Sequence, residues 1–93
     1  MITITSSASH VIVDMGAYYP VPLSVRKGYW RKDQIRIITL NTDHIEIDAA
    51  DGRDWLLDFD GNSITSAFIV SAINGVPPTS NEDLFDKLVS ILS

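Results

Sequence analysis

There is no cysteine anywhere in this 93-residue chain. Disulfide bracing and thiolate metal sites are therefore excluded. No apolar run approaches the ~18–20 residues that a membrane-spanning helix needs, so no membrane contact is expected. Basic residues are few, seven against twelve acidic ones. The resulting net charge of −5 argues against a general nucleic-acid binder, and no nucleic-acid partner is expected. No glycine-rich phosphate loop, nucleophile elbow, internal repeat, heptad pattern or low-complexity tract is present. Met1 opens an alternating Ile-Thr-Ile-Thr run rather than a charged segment followed by an apolar one, so no secretory signal is expected. What remains is 45% hydrophobic, the composition of a globular domain. The length suits one domain, residues 1–93, with a modest core.

The clearest pattern lies in residues 64–93. Phe68 to Ile73 is short, apolar and rich in β-branched residues, which favours a buried strand. Asn74-Gly75 stops it, since both tolerate positive φ. Pro77-Pro78 has no N–H to donate and forbids a helix or inner strand there. Ser80 then offers an N-cap, with Asp83 at the capping-box position and Glu82, Asp83 and Asp86 in the first two turns. Leu84, Phe85, Leu88, Val89 and Leu92 predict one apolar stripe at helical period. A helix of about a dozen residues is marginal alone. Its stripe must close against a sheet supplied by the rest of the chain.

Earlier in the chain, residues 1–5 predict a first strand at a sheet edge, and His10 to Asp14 a second. Residues 15–22 carry two prolines and a glycine and read as irregular, with Leu23 to Val25 a short strand. Residues 28–59 read as a three-stranded meander. Its first strand is Ile35 to Leu40, with a possible extension back to Tyr29. In the second, Ile45, Ile47 and Ala49 alternate with His44, Glu46 and Asp48. The third puts Trp55, Leu57 and Phe59 on one face. A two-residue Asp51-Gly52 turn would set Asp58 opposite Ile45. A three-residue Ala50-Asp51-Gly52 loop instead pairs Ile47 with Trp55 and Ile45 with Leu57, and is preferred. By the same test, Ile37 is expected opposite Ile47 and Arg36 opposite Asp48, which leaves Ile38 and Leu40 facing outward. The fold expected is mainly β within the α+β class. It is an antiparallel meander of about six or seven short strands, forming a bent sheet or partly closed barrel with one C-terminal helix packed on it.

Charge is unevenly placed. Five basic residues fall between Arg26 and Arg36, and six acidic ones between Glu46 and Asp60. This reads either as opposite charges on the wet faces of neighbouring strands or as a dipolar surface for docking subunits. Asp58, Asp60 and Asn62 are spaced like a calcium loop. Ser63 and Ile69, however, stand where such a loop needs Gly and Glu, so a turn between strands is the reading taken. His10 and His44 would both be needed for a zinc site, together with Glu46 or Asp48, and His44 is expected solvated at a turn. The acidic residues are expected on solvent faces with no pocket. No catalytic, cofactor or metal residue is therefore assigned. The run from Arg26 to Lys32 interleaves basic residues with Tyr29 and Trp30. That pattern suits a nucleic-acid backbone and stacked bases, an anionic protein surface, or two strands whose Trp30 is core; the protein surface or plain fold is the reading taken. Tyr18 and Tyr19 suit either cover for a core edge or an exposed contact loop.

Two segments bear resemblances. Residues 69–76 and the helix after them resemble the strand, Asn-Gly and helix part of PDZ domains over about a third of the chain. The carboxylate-binding loop and the strand after the helix have no counterpart, so that fold is not adopted. The run Asp54-Trp55-Leu56-Leu57-Asp58-Phe59-Asp60-Gly61, the turn Ile73-Asn74-Gly75-Val76 and the helix segment Leu84-Phe85-Asp86-Lys87-Leu88 are together similar to small proteins encoded among the structural genes of tailed bacteriophages. That resemblance implies a virion component, in the phage particle or the host cytoplasm, without enzymatic activity. The expected function is thus a non-enzymatic assembly protein that packs through loops and strand edges with copies of itself or with larger virion subunits. Tyr18, Tyr19, Arg26, Lys27, Trp30, Arg31 and Lys32 are the expected contacts. The alternative is a small β-rich peptide- or ligand-binding module, PH-like or PDZ-like in general shape.

Overall fold

Alternation dictates the strands. In the computed structural model, which describes residues 2–14, 27–59 and 68–93, Ile2 and Ile4 are buried while Thr3 and Thr5 are exposed on β1 (Ile2–Ser6). Val11 and Val13 do the same on β2 (His10–Asp14), and Ile45 and Ile47 on β5 (Ile45–Ala49). The other strands are β3 (Lys27–Arg31), β4 (Ile35–Leu40), β6 (Asp54–Asp58) and β7 (Phe68–Ile73). A 3-10 turn, Lys32–Gln34, joins β3 to β4, and the helix α1 spans Asn81–Leu92.

The strands form one seven-stranded mixed sheet in the order β3-β2-β1-β7-β6-β5-β4. The expected all-antiparallel meander is corrected here. β7 lies in the middle and runs parallel to both β1 and β6, and β1 is internal rather than at an edge. The physical reason is burial. Phe68 to Ile73 is a nearly continuous apolar run, and a central position removes more of it from water than an edge would: Val70 and Ile73 are fully buried and the other four residues half-buried. Val70 and Ile73 are both buried although three residues apart. A register shift makes this possible: Ile2 pairs with Val70 and Thr3 with Ala72, so the alternation flips at Ser71. The Ser71 hydroxyl donates to the Ile2 carbonyl at 3.1 Å.

The sheet is not closed. Among the described residues, no pairing joins β3 to β4. Its ends are nevertheless drawn together. Trp30 on β3 and Trp55 on β6 have ring centroids 4.8 Å apart, whereas four strand spacings in a flat sheet would span roughly 19 Å.

The loop between β5 and β6 is the expected one. Ala49 N–H donates to the Arg53 carbonyl at 3.0 Å, Gly52 has φ 84°, and Ile47 pairs with Trp55 and Ile45 with Leu57. The preceding hairpin differs by one residue. Ile38 pairs with Ile47, Ile37 with Asp48 and Leu40 with Ile45, with a register shift between Ile35 and Ile37. The bulge at Arg36 reverses the alternation. Ile38 therefore packs on the core and Ile37 turns out, 56% exposed. Leu40 lies on the side of Ile45 at the strand end and remains partly open. Asp58, expected on a wet face, is buried.

After β7, Asn74 and Gly75 take φ 49° and 78°, and Ile73 and Val76 exchange backbone hydrogen bonds of 2.9 and 3.0 Å. These are the marks of a two-residue type I′ turn. Ser80 then caps α1, its hydroxyl accepting from the Asp83 N–H at 3.0 Å. The Asp83 carboxylate accepts from the Thr79 N–H at 3.0 Å and from Lys87 Nζ at 2.6 Å. Asn81 Oδ1 accepts from the Phe59 N–H at 3.0 Å and ties the helix start to the end of β6. Leu84 and Leu88 are fully buried, and Phe85, Ile91 and Leu92 pack against the same core. Val89, expected in the stripe, is exposed. At ~100° per residue it lies about 100° from the line through Leu88, and Ile91 is the better-placed neighbour. Among the described residues no helix is long and apolar enough to cross a membrane.

Truncating the lid should therefore be costly. Leu88→Ala is expected to lower stability by about 2–5 kcal/mol and Ser80→Ala by about 1 kcal/mol, read from urea unfolding midpoints. The Lys87 ammonium, followed by the Thr79 N–H, holds the Asp83 carboxyl below 3.8. A depressed carboxylate stabilises the fold above its unfolded pKa, and that contribution is lost as pH falls through the folded one. Asp83→Asn should thus destabilise at pH 7 and progressively less on acidification below pH 4.

Candidate docking surfaces

The curl of the sheet builds a cleft at its open end. Trp30 pairs with Val11 and Gly28 with Val13, so these two β3 residues face the concave side with the valines. Gly28 leaves room for the Trp30 indole, whose Nε1 would lie 3.4 Å from a Cβ at that position. Trp55 reaches the same space from β6. The two indoles meet at 40°, and Trp55 also contacts Phe68, with centroids 5.4 Å apart and a 41° tilt. Beside this aromatic row lies a cleft of about 210 Å³, lined by Tyr29, Trp30, Arg31, Gln34, Ile35, Ile47, Ala49, Asp51, Arg53 and Trp55. Its apolar walls come from strands. Its polar residues come from β3, the 3-10 turn and the β5–β6 loop.

Both arginines at the cleft already hold carboxylates. Arg31 meets Asp33 at 2.8 Å and Arg53 meets Asp51 at 3.4 Å, all well exposed. Exposed pairs of this kind contribute little stability, and they can re-form with an incoming group. Tyr29 is 63% exposed.

The convex side carries a different cluster. Glu46 and Asp48 on β5 and Asp54 on β6 bring carboxylate oxygens within 4.8 Å of one another, with Asp48 directly opposite Asp54. The hydrogen bond with Asp54, then burial, then the charges of Asp54 and Glu46 raise the Asp48 carboxyl above 3.8. Neither histidine joins this group. His10 bonds to Ser9 at 2.7 Å. His44 is half-buried rather than solvated, held by Asp43 at 2.6 Å and Asn41 at 3.2 Å.

Of the expected contacts, the structure brings Trp30 and Arg31 to the cleft. Lys32 begins the adjoining turn and Lys27 begins β3. Tyr18, Tyr19 and Arg26 lie outside the described residues, as do the short strand expected at Leu23 to Val25 and the Asp60 and Asn62 ends of the calcium-like spacing. Sequence reasoning did not assign Trp55, Asp51 and Arg53 to a site, and it expected no pocket. Trp55 had been placed on the core face. Only the long-range approach of β3 to β6 shows that this face opens onto a cleft.

The acidic cluster has a testable sign. A carboxyl raised by folding loses stability for the protein as pH climbs above its unfolded value through the folded one. Asp54→Asn keeps a hydrogen-bonding group against Asp48 and removes a like charge. It should raise the urea midpoint at pH 7 and leave it nearly unchanged at pH 3, flattening the slope between.

No protein-family model matches the chain, and neither a curated protein nor a solved structure matches it.

Proposed function

We propose that this chain is a non-enzymatic assembly protein, a small subunit that docks with copies of itself or with larger subunits. The observation that carries this reading is the pair of sheet edges, β3 and β4, each of which has no second strand partner on its outer side among the described residues. An edge offers unpaired N–H and C=O groups to another chain. Exposed Tyr29 beside one edge and exposed Ile37 on the other add apolar area. In this reading the curled sheet acts as an incomplete barrel, with the helix closing one side and the open seam facing a partner. The segments similar to small phage structural proteins favour a place in a virion. The segregation of groups favours contact over catalysis, since the acidic cluster lies on the convex face and neither histidine lines the cleft.

A second reading has the cleft in its favour. Apolar, aromatic-lined pockets with a few polar groups, at the mouth of a barrel-like sheet, are common ligand sites. A peptide or small ligand held between Trp30 and Trp55 would then be the cargo.

Sedimentation velocity over rising concentration separates the two. The assembly reading expects mass above that of one chain, or co-sedimentation with the structural proteins of its particle. A strict monomer that also stays out of the particle would sink it. Tyr29→Ala should change stability by no more than about 0.5 kcal/mol, yet weaken partner binding about tenfold. A ligand module would instead show saturable change in tryptophan emission with no change in mass.

A further inference from the structure

The two edges left open among the described residues differ in chemistry. β3 reads Lys-Gly-Tyr-Trp-Arg, basic at both ends. Set antiparallel to its own copy, it places base opposite base, which is destabilising. β4 reads Ile-Arg-Ile-Ile-Thr-Leu. It has one charge in six residues, neither proline nor lysine, and four β-branched side chains. Apart from the bulge at Arg36, it lacks the devices that usually blunt an edge.

The hydrogen-bond phase of β4 shows which groups it offers. Asn41 N–H donates to the His44 carbonyl at 2.9 Å, so Asn41 and His44 form a bonded pair. Bonded and non-bonded pairs alternate along an antiparallel ladder. Leu40–Ile45 and Ile38–Ile47 are therefore non-bonded pairs, and the N–H and C=O groups of Ile38 and Leu40 point away from β5, toward the open edge.

We propose that β4 pairs antiparallel with β4 of a second copy, across a two-fold axis through Ile38. This rests on the assembly reading and names the surface it uses. In this register Ile38 faces its copy, Ile37 faces Thr39, and Arg36 faces Leu40. No like charges meet, and each contact occurs twice by symmetry. The exposed Ile37 gains a β-branched neighbour on the convex face, where cross-strand pairs of this kind are favourable. Other registers fit less well. Sliding two residues one way brings Thr39, on the convex side, opposite Ile35, which the bulge has turned to the core side. Sliding the other way leaves Ile37 opposite Asn41 at the polar turn.

The test uses the full chain. The unmodified protein is expected to show a monomer–dimer equilibrium by sedimentation velocity. Ile37→Lys alters an exposed side chain opposite Asp48 and should leave circular dichroism unchanged, with a thermal midpoint no lower than that of the unmodified protein because the new cation meets the acidic cluster. It should raise the dimer dissociation constant about tenfold or more, about 1.4 kcal/mol per decade. Adding Thr39→Glu to that variant should recover most of the loss, because each new cation then faces a new anion across the axis. The chain has no cysteine, so crosslinking is clean. Ile37→Cys protein mixed with Thr39→Cys protein should form a disulfide-linked heterodimer on mild oxidation, and Thr39→Cys protein alone much less. A dimer indifferent to Ile37→Lys, with no crosslink in the mixture, overturns this edge while leaving the assembly reading standing on another surface. A strict monomer at every concentration overturns the pairing itself. Incorporation of that monomer into a particle would then keep the assembly reading, and its exclusion would end both.

Discussion

The architecture depends on where β7 goes. A six-residue strand this apolar leaves more of its surface in water at an edge than between two neighbours, and in the centre its Val70 and Ile73 are fully buried. Placed in the middle, it separates the chain into two three-stranded wings, β1-β2-β3 and β6-β5-β4. The last strand of the first wing and the first strand of the second become the two edges. They are also consecutive in the chain, joined by a three-residue 3-10 turn. That short tether brings the outer strands toward each other and makes a flat sheet impossible. Curl, cleft and open seam all follow from one strand taking the centre.

The helix completes the same arrangement. The concave side of the sheet presents Ile2, Ile4, Val11, Val13, Ile45, Ile47, Leu57, Val70 and Ile73, and Leu84 and Leu88 join them in a single cluster. With the helix start fixed to Phe59 at the end of β6 by Asn81, its apolar stripe reaches β7 and β4. The helix therefore covers the part of the concave face that it reaches at β7 and β4. The part near Ala49, Ile35 and Trp55 remains as the cleft. Lid and cleft are two halves of one apolar surface.

Local features were legible in the sequence, and long-range ones were not. The Ser80 cap, the Asn74-Gly75 turn and the three-residue loop before Arg53 each depend on residues within a few positions of one another. So does the register of Ile47 against Trp55, because a slip by one would have set Asp58 rather than Leu57 opposite Ile45. The hairpin before it differs from the expected register by one residue, since a bulge at Arg36 leaves no compositional mark. The position of β7 was misjudged for a different reason. Its apolarity was plain, but sequence neighbours usually pair, and nothing local says that a strand will run parallel between β1 and β6. The cleft inherits that difficulty. Trp30 and Trp55 are twenty-five positions apart in the sequence and meet only because the two wings curl together.

The distribution of polar groups bears on what such a surface can do. Here the concave cleft gathers indoles, aliphatic side chains and two arginines already matched to carboxylates. The tight acidic group lies on the convex face of β5 and β6, and each histidine is bonded within its own turn. Aromatic and arginine side chains with exchangeable partners are the composition of recognition surfaces. An edge strand adds the directional ladder that such a surface otherwise lacks. With β4 nearly uncharged and β3 basic at both ends, the two edges cannot serve the same partner in the same way. In the proposed assembly, the nearly uncharged edge would suit a second copy and the basic edge an anionic neighbour, so one subunit would offer two distinguishable contacts.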